Sequence, residues 1–159
     1  MLQKYITVFL ISMVPLIELR GAIPYSAVMG LPLFQSYIVA IIGNMLPVPI
    51  IYLFARKVLE WGVDKPVIGV FFTWCLEKGK RGGEKLQAKA GRGLFIALLI
   101  FVGIPLPGTG AWTGTLAASL LDIDFKSSIL AVMGGVLMAG IIMGLASAGV
   151  LGALQSIVF

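Results

Sequence analysis

The chain consists mainly of long apolar runs that polar residues seldom interrupt. Two runs, 37–55 and 127–159, contain no charged residue and are long enough to cross a bilayer as helices. A helix over 37–55 would be about 28 Å long, close to the roughly 30 Å of a hydrocarbon core. The second run exceeds that length, so we expect it to tilt or to break near 147–149. The pattern predicts an all-α integral membrane protein.

Two further apolar runs, 5–17 and 94–104, have about half of the roughly 20 residues that a spanning helix needs. Each ends in a segment rich in Pro and Gly, at 15–24 and at 105–112, and another apolar run follows. The pattern fits a kinked spanning helix, or a re-entrant hairpin that returns to the side it entered. Irregular backbone at membrane depth requires cover from protein or a water-filled cavity, so both readings place the broken tips inside the protein.

The two broken segments begin blocks of similar sequence, set about 90 positions apart. If the tips are re-entrant, one crossing separates the blocks and the repeats are inverted; if the tips span, the repeats are parallel. We favour inverted repeats, each a re-entrant helical hairpin followed by a transmembrane helix, because facing broken tips form transport sites in such folds. The aligned residues are Gly21-Ala22, Gly30-Leu31, Phe34-Gln35-Ser36 and Gly43-Asn44 with Gly110-Ala111, Ser119-Leu120, Phe125-Lys126-Ser127 and Gly134-Gly135.

Charge is sparse and unevenly placed. Only 12% of the residues are charged, against about 25% in soluble domains. Nine of the twelve Lys and Arg residues lie in 56–93, which the positive-inside rule places in the cytoplasm of a multi-pass protein of the cell (inner) membrane. We expect 56–93 to bind anionic lipid headgroups, with 66–76 at the interface, and we expect no nucleic-acid binding. The chain is then one membrane domain, 1–159, with repeats at 5–55 and 94–159.

The residue types exclude several kinds of chemistry. There is one cysteine, Cys75, and no histidine, so a disulfide framework, the usual Cys/His zinc sites and a triad with a His base are excluded. No nucleophile–base pair or metal cluster is visible, and we expect neither enzymatic activity nor a cofactor. Coupling to H⁺ or Na⁺ is compatible with the sequence.

Glu18 and Arg20 are the only charged residues between Lys4 and Arg56. A charge at the bilayer centre costs roughly 2.5–3.5 kcal/mol, so each needs a partner or water. In an extended tip both side chains would project to the same side, where they could pair with each other, or Arg20 could hold an anionic headgroup while Glu18 takes a proton. Alternatively, both mark a surface loop and reach into water.

The second tip has no charge but offers backbone groups and threonine hydroxyls. A helix starting near Ala111 would aim its N-terminal N–H groups at the tip, a site suited to an anion; a close-packed kink is the alternative. Asn44 places an amide inside the first long span, for interhelical hydrogen bonding or for substrate contact. The predicted substrate- or ion-binding residues are Glu18, Arg20, Asn44, Pro107, Gly108, Thr109, Gly110, Trp112 and Thr113.

The last apolar run carries a ladder of small residues, Gly140, Gly144, Ala148 and Gly152. Such ladders permit close helix packing in lipid, and we expect this one to support a homodimer.

The motifs E-L-R-G-A-I-P at 18–24 and I-P-L-P-G-T-G-A-W-T-G at 104–114 resemble those of the putative small multidrug export proteins. That family is more distantly similar to the DedA/VTT superfamily. The resemblance implies two facing re-entrant loops, an acidic residue in the first loop (Glu18) and a Pro-Gly turn in the second (Pro107-Gly108). It also implies movement of lipids, including undecaprenyl phosphate, and proton-dependent drug tolerance. DedA-type second loops usually carry arginines beside the turn, and here those places are uncharged.

The expected function is that of a DedA-like membrane transporter. It would translocate a lipid carrier or phospholipid, or export a small amphipathic compound, through an ion-coupled site between the two tips. If no arginine in the second loop grips a phosphate, Arg20 must do so, or the substrate is not a phospholipid. The alternative is a non-transporting membrane scaffold built on the glycine ladder.

Overall fold

A computed structural model describes residues 1–74, 77, 92–106 and 108–158. Cys75 and the centre of the basic segment lie outside this range. Within the described ranges the chain is helical with connecting turns and no strand, as predicted. The seven long helices are α1 (Leu2–Met13), α2 (Glu18–Val28), α3 (Leu33–Met45), α4 (Pro47–Val63), α5 (Arg92–Gly103), α6 (Ala111–Leu120) and α7 (Phe125–Val158).

The predicted breaks are present where Pro and Gly interrupt the apolar runs. The first tip, 14–17, separates α1 from α2, and the second tip, 104–110, separates α5 from α6. The backbone turns sharply at both tips, with positive φ at Leu16 (71°), Glu18 (51°) and Gly110 (142°). The alternative of a break near 147–149 is wrong, because α7 continues through it. That stretch has no proline, and a glycine costs a helix only about 1 kcal/mol.

Each half of the chain begins with an antiparallel helical hairpin. In the first hairpin, α1 with α2, the Lys4 ammonium donates to the Met29 carbonyl at 3.0 Å, so the start of α1 lies beside the end of α2. In the second hairpin, α5 with α6, Gly114 packs so closely on Val102 that a methyl group there would come within 2.4 Å of its side chain. In each hairpin the connecting turn is at the tip. We call the opposite end, where no turn joins the two helices, the open end.

Each hairpin lies along the first part of the long helical run that follows it. Gly43 of α3 packs on α1, where an added methyl group would come within 2.6 Å of the Phe9 carbonyl oxygen. Gly135 of α7 packs on α5 in the same way, 2.7 Å from the Leu99 carbonyl oxygen. Gly43 and Gly135 are 92 positions apart and perform the same task.

The α3–α4 run and α7 cross the molecule in opposite directions. The Tyr37 hydroxyl donates to the Leu137 carbonyl at 2.8 Å, whereas at the other end the Tyr52 hydroxyl donates to the Ile123 carbonyl. The Arg56–Asp122 ion pair lies at that second end. The open ends of the two hairpins therefore lie at opposite ends of the molecule, and the tips meet between them.

The two halves also share the turn that follows the second helix of each hairpin. Gly30 (φ 68°) and Asp122 (φ 54°) end α2 and α6 in the left-handed conformation. The next amide bonds back to the carbonyl five residues earlier in both cases, at 3.0 Å. These turns are 92 positions apart, so Ser36 matches Ser128, and the sequence alignment of Phe34 with Phe125 is one residue out of register. Both serines are buried, whereas Phe34 is exposed, so packing fixes the register through the serines.

The interior contains small and polar residues beside buried Val, Leu and Ile side chains, and many other large apolar side chains point outward. Ser12, Ser26, Ser36, Ser128 and Thr115 are fully buried. Two stretches, Leu33–Val63 and Phe125–Val150, are long and apolar enough to cross a membrane by length and composition. Exposed apolar stripes run along both: Ile38, Ile42, Leu46, Ile50 and Leu53 on the first, and Leu130, Met133, Leu137, Ile141 and Leu145 on the second. This distribution suits apolar surroundings.

Candidate functional site

Glu18 is the first residue of α2, and its side chain is buried against the second hairpin. Its Oε2 accepts a hydrogen bond from the Ala111 amide at 3.1 Å, and its Oε1 accepts one from the Trp112 amide at 3.0 Å. The first amides of a helix have no partner within the helix and carry a partial positive charge. The Glu18 carboxylate therefore caps the N-terminus of α6.

Gly110 is required by the position of Glu18. A methyl group on Gly110 would come within 2.5 Å of Glu18 Oε2 and 2.9 Å of its carboxyl carbon. The φ of 142° at Gly110 is also one that other residues rarely adopt. The Gly-Ala-Trp sequence thus gives the carboxylate both the space and the amides that it occupies.

The Arg20 guanidinium serves the other end of the second tip. The carbonyls that follow the last turn of α5 have no helical partner, and Pro105 removes one potential donor. A cation at a helix C-terminus is stabilised by these carbonyls, and the guanidinium fork suits several acceptors at once. Its acceptors are the carbonyls of Val102 (3.2 Å), Ile104 (3.1 Å), Leu106 and Thr109, and the Thr109 hydroxyl (2.8 Å).

Trp112 makes the reciprocal contact from the second hairpin to the first. Its indole N–H donates to the Met13 carbonyl at 3.2 Å, and Met13 is the last residue of α1. Three side chains therefore connect the tips: Glu18 at the start of α6, Arg20 at the end of α5 and Trp112 at the end of α1. We call this set of contacts the tip junction.

The predicted arrangement of Glu18 and Arg20 in an extended tip is wrong. Both lie in the first turn of α2 and reach different parts of the second tip. Glu18 is only 3% exposed, which does not fit the alternative of a surface loop. The α6 amides are better placed to bind Glu18, and the carbonyls at the end of α5 to bind Arg20, than the two side chains are to bind each other.

The remaining predicted residues differ in position. Thr109 and Gly110 belong to the junction, whereas Gly108 (φ 81°) turns the tip with open space around it. Thr113 is partly buried on α6, and Pro107 lies outside the described residues. Asn44 is 2% exposed, and its Oδ1 has no hydrogen-bond partner among the described residues.

The sequence could not identify the backbone acceptors of the junction, because any residue type supplies a carbonyl. The anion site expected at the start of α6 is present as a helix N-terminus, but the Glu18 carboxylate fills it. The two aspartates between α6 and α7 lie away from the junction. Asp122 pairs with Arg56, and the Ser127 amide donates to Asp124 at 2.9 Å, which lowers the pKa of that carboxyl.

A sequence profile of the family described as "Putative small multi-drug export protein" matches residues 18–142. The match begins at Glu18 and includes both sides of the tip junction. The chain belongs to this family. Its membership and the two apolar stretches identify a membrane protein of the small multi-drug export type. Among curated proteins and among solved structures, no match is found.

For this family member we expect Arg20→Lys to destabilise the fold. Lysine keeps the charge but cannot present two nitrogens in one plane, so several of the five acceptors lose the hydrogen bond from residue 20. The expected loss is about 2–4 kcal/mol, from charge-assisted hydrogen bonds worth about 1.5–3 kcal/mol each. The measurement is thermal unfolding in detergent.

Arg56→Lys is the matched control, because the Arg56 side chain is 41% exposed and its ion pairs lie at the surface. It should change stability by less than about 1 kcal/mol. Equal effects of the two substitutions would contradict the role given to Arg20.

Proposed function

We propose that the chain is a multi-pass transporter of the cell membrane with its transport site at the tip junction. The observation that carries the proposal is that the buried Glu18 carboxylate and the partly buried Arg20 guanidinium lie between two broken helical tips. Ionisable groups inside a membrane protein are costly and usually mark a substrate or ion pathway. The description of the family as an export protein supports the same reading.

We further propose that the two hairpins are re-entrant and that the halves are inverted repeats. The hairpin helices have 10 to 12 residues, about 15–18 Å, which is half of a hydrocarbon core of about 30 Å. The long runs along which they lie are antiparallel, so the hairpins would enter from opposite leaflets. Arg56, Lys57 and Lys65 lie toward the end of α4 that adjoins the second hairpin's open end, which supports a cytoplasmic position for 56–93.

The tip junction suggests how such a site would work. In the present conformation the described side-chain hydrogen bonds of Glu18 and Arg20 all join the two tips, so a path through the centre requires the tips to part. Parting leaves the α6 amides and the Arg20 guanidinium without acceptors, and an anionic headgroup can satisfy both. Glu18 is then free to take a proton or Na⁺. The proposed substrate is an amphipathic molecule with an anionic headgroup, such as a lipid carrier phosphate or a phospholipid.

Export of a small amphipathic compound is the second candidate. The family description supports it. The lack of an arginine in the second tip supports it as well, because the cation at the tip junction, Arg20, comes from the first hairpin. For such a substrate Glu18 would bind a cationic group when the tips part, and the apolar outer faces of α3 and α7 would allow entry from lipid.

Two proposals concern partners. Phe71 and Trp74 stack at 6.3 Å and are both exposed next to the basic segment, which supports an anchor in the lipid headgroup region. On the small-residue ladder, Gly140 is covered by Tyr37 of the same chain, whereas Gly152 has open space around it, as does Gly149 nearby on α7. A homodimer would use that open end of α7.

Flux into reconstituted vesicles tests the transport proposal. In vesicles of phosphatidylethanolamine and phosphatidylglycerol, the wild type should move a fluorescent phospholipid or a cationic dye across the bilayer under a proton or sodium gradient. Glu18→Gln should abolish the flux, because the amide cannot carry the charge that responds to the gradient. Glu60→Gln is the control, since Glu60 is exposed and pairs only with Arg56 among the described contacts.

Vesicles that are inert toward every lipid and dye tested would favour the scaffold. Wild-type flux in Glu18→Gln, at equal protein content, would remove Glu18 from the site.

Cysteine labelling tests the inverted arrangement. Phe34→Cys and Lys126→Cys occupy equivalent exposed positions at the open ends of the two hairpins, 92 positions apart. In a Cys75→Ser background, a membrane-impermeant thiol reagent should label position 34 from outside the cell and position 126 only after permeabilisation. Labelling of both from one side would contradict inverted, re-entrant hairpins.

A further inference from the structure

A buried amide oxygen without a partner lies at the break between α3 and α4. Asn44 is 2% exposed, and its Oδ1 has no hydrogen-bond donor among the described residues. Leaving a buried polar atom unpaired costs roughly 1–3 kcal/mol. A native structure usually carries such a cost for a reason, and an unobserved ion or water is one of them.

Two prolines remove the usual helical donors of the two carbonyls that flank Asn44 in the sequence. Along a continuous helix the amides of residues 47 and 49 would bond to the carbonyls of Gly43 and Met45. Pro47 and Pro49 have no N–H, so they cannot donate to these carbonyls. One turn of the chain therefore combines an amide oxygen and two carbonyl oxygens that the helix leaves without their usual donors.

The second half of the chain shows that the fold does not need this arrangement. Gly43 and Gly135 make the same close packing on α1 and α5, and the next residues are Asn44 and Val136, both buried. At the positions that match the two prolines, α7 has Ala139 and Ile141 and continues as an unbroken helix. Asn44 and the two prolines thus stand at positions where the second half of the chain has apolar residues in an unbroken helix.

The break lies at the depth of the tip junction. Gly43 packs against Ser12, and the next residue, Met13, accepts the Trp112 indole hydrogen bond. Polar oxygens at this depth lie near the middle of the molecule, where the proposed transport path runs. In other transporter folds, backbone carbonyls freed where a helix is interrupted coordinate the coupling cation.

We propose that Asn44 Oδ1 and the carbonyls of Gly43 and Met45 bind a monovalent cation, and that this cation is Na⁺. The donor set consists of hard neutral oxygens, which suits an alkali cation. A divalent ion would need carboxylates, and among the described residues no group of three His, Cys, Asp or Glu forms a metal site. The role of the cation in coupling rests on the proposed transport function, but its binding does not.

Equilibrium binding of ²²Na⁺ to the purified protein in detergent tests the proposal apart from transport. The wild type should bind Na⁺ saturably. At equal ionic strength, K⁺ serves as the competing cation and choline as the blank. Asn44→Val copies the residue that the second half has at this position, so the variant should fold. It should weaken Na⁺ binding about tenfold, the change that corresponds to about 1.4 kcal/mol for one lost ligand.

Two variants complete the test. Pro49→Ala returns an N–H to the Met45 carbonyl and should also weaken Na⁺ binding, while Ser128→Ala, another buried polar residue, should leave it unchanged. In sodium-free buffer Asn44→Val should melt at or above the wild-type temperature, which separates loss of binding from loss of folding.

Absence of saturable Na⁺ binding by the wild type would overturn the site. Unchanged binding by Asn44→Val would overturn it as well. Inert vesicles together with intact Na⁺ binding would instead remove the transport function and leave the cation site.

Discussion

The structure depends on one constraint: helix ends that lie in the interior of a membrane protein must find partners for their free amides and carbonyls. Each such group costs several kcal/mol if it stays unpaired in an apolar medium. Two helices end and two begin at the centre of this chain. Glu18, Arg20 and Trp112 satisfy three of these four helix ends, and each of them acts on the opposite hairpin. The halves are therefore held together by capping as well as by packing.

This capping is unequal between the halves, and the inequality bears on mechanism. The first hairpin contributes both charged side chains, while the second contributes backbone groups and an indole. Separation of the tips would expose a guanidinium, a carboxylate and a helix N-terminus at once, which is an environment for an anionic headgroup and a coupling cation. Asn44 and the proline break add a second asymmetry at the same depth, although the matching helix in the second half is continuous.

Much of the fold follows from the sequence, because Pro and Gly fix where helices break and apolar runs fix which of them are long. The breaks at 14–17 and 104–110 and the two long apolar runs follow in this way, and isolated charges in an apolar stretch single out Glu18 and Arg20 as candidates. The register between the halves does not, since Phe34 and Phe125 look alike but packing follows the buried serines Ser36 and Ser128. The capping partners are also hidden, because the carbonyls of 102–109 carry no signature in residue type. The position of the Glu18 carboxylate depends on the α6 amides, which only the folded chain brings to it.

Intramolecular cross-linking in native membranes tests the contact between the tips most directly. Met13→Cys and Trp112→Cys, in a Cys75→Ser background, should be joined within one chain by a short bifunctional thiol reagent, because the Trp112 indole lies 3.2 Å from the Met13 carbonyl. Met13→Cys with Gly149→Cys, a pair on the tip of α1 and the far part of α7, should not be joined. Efficient cross-linking of the first pair alone supports a fold centred on mutually capped tips. Failure of that pair, with both cysteines labelled by a single-ended reagent, would contradict it.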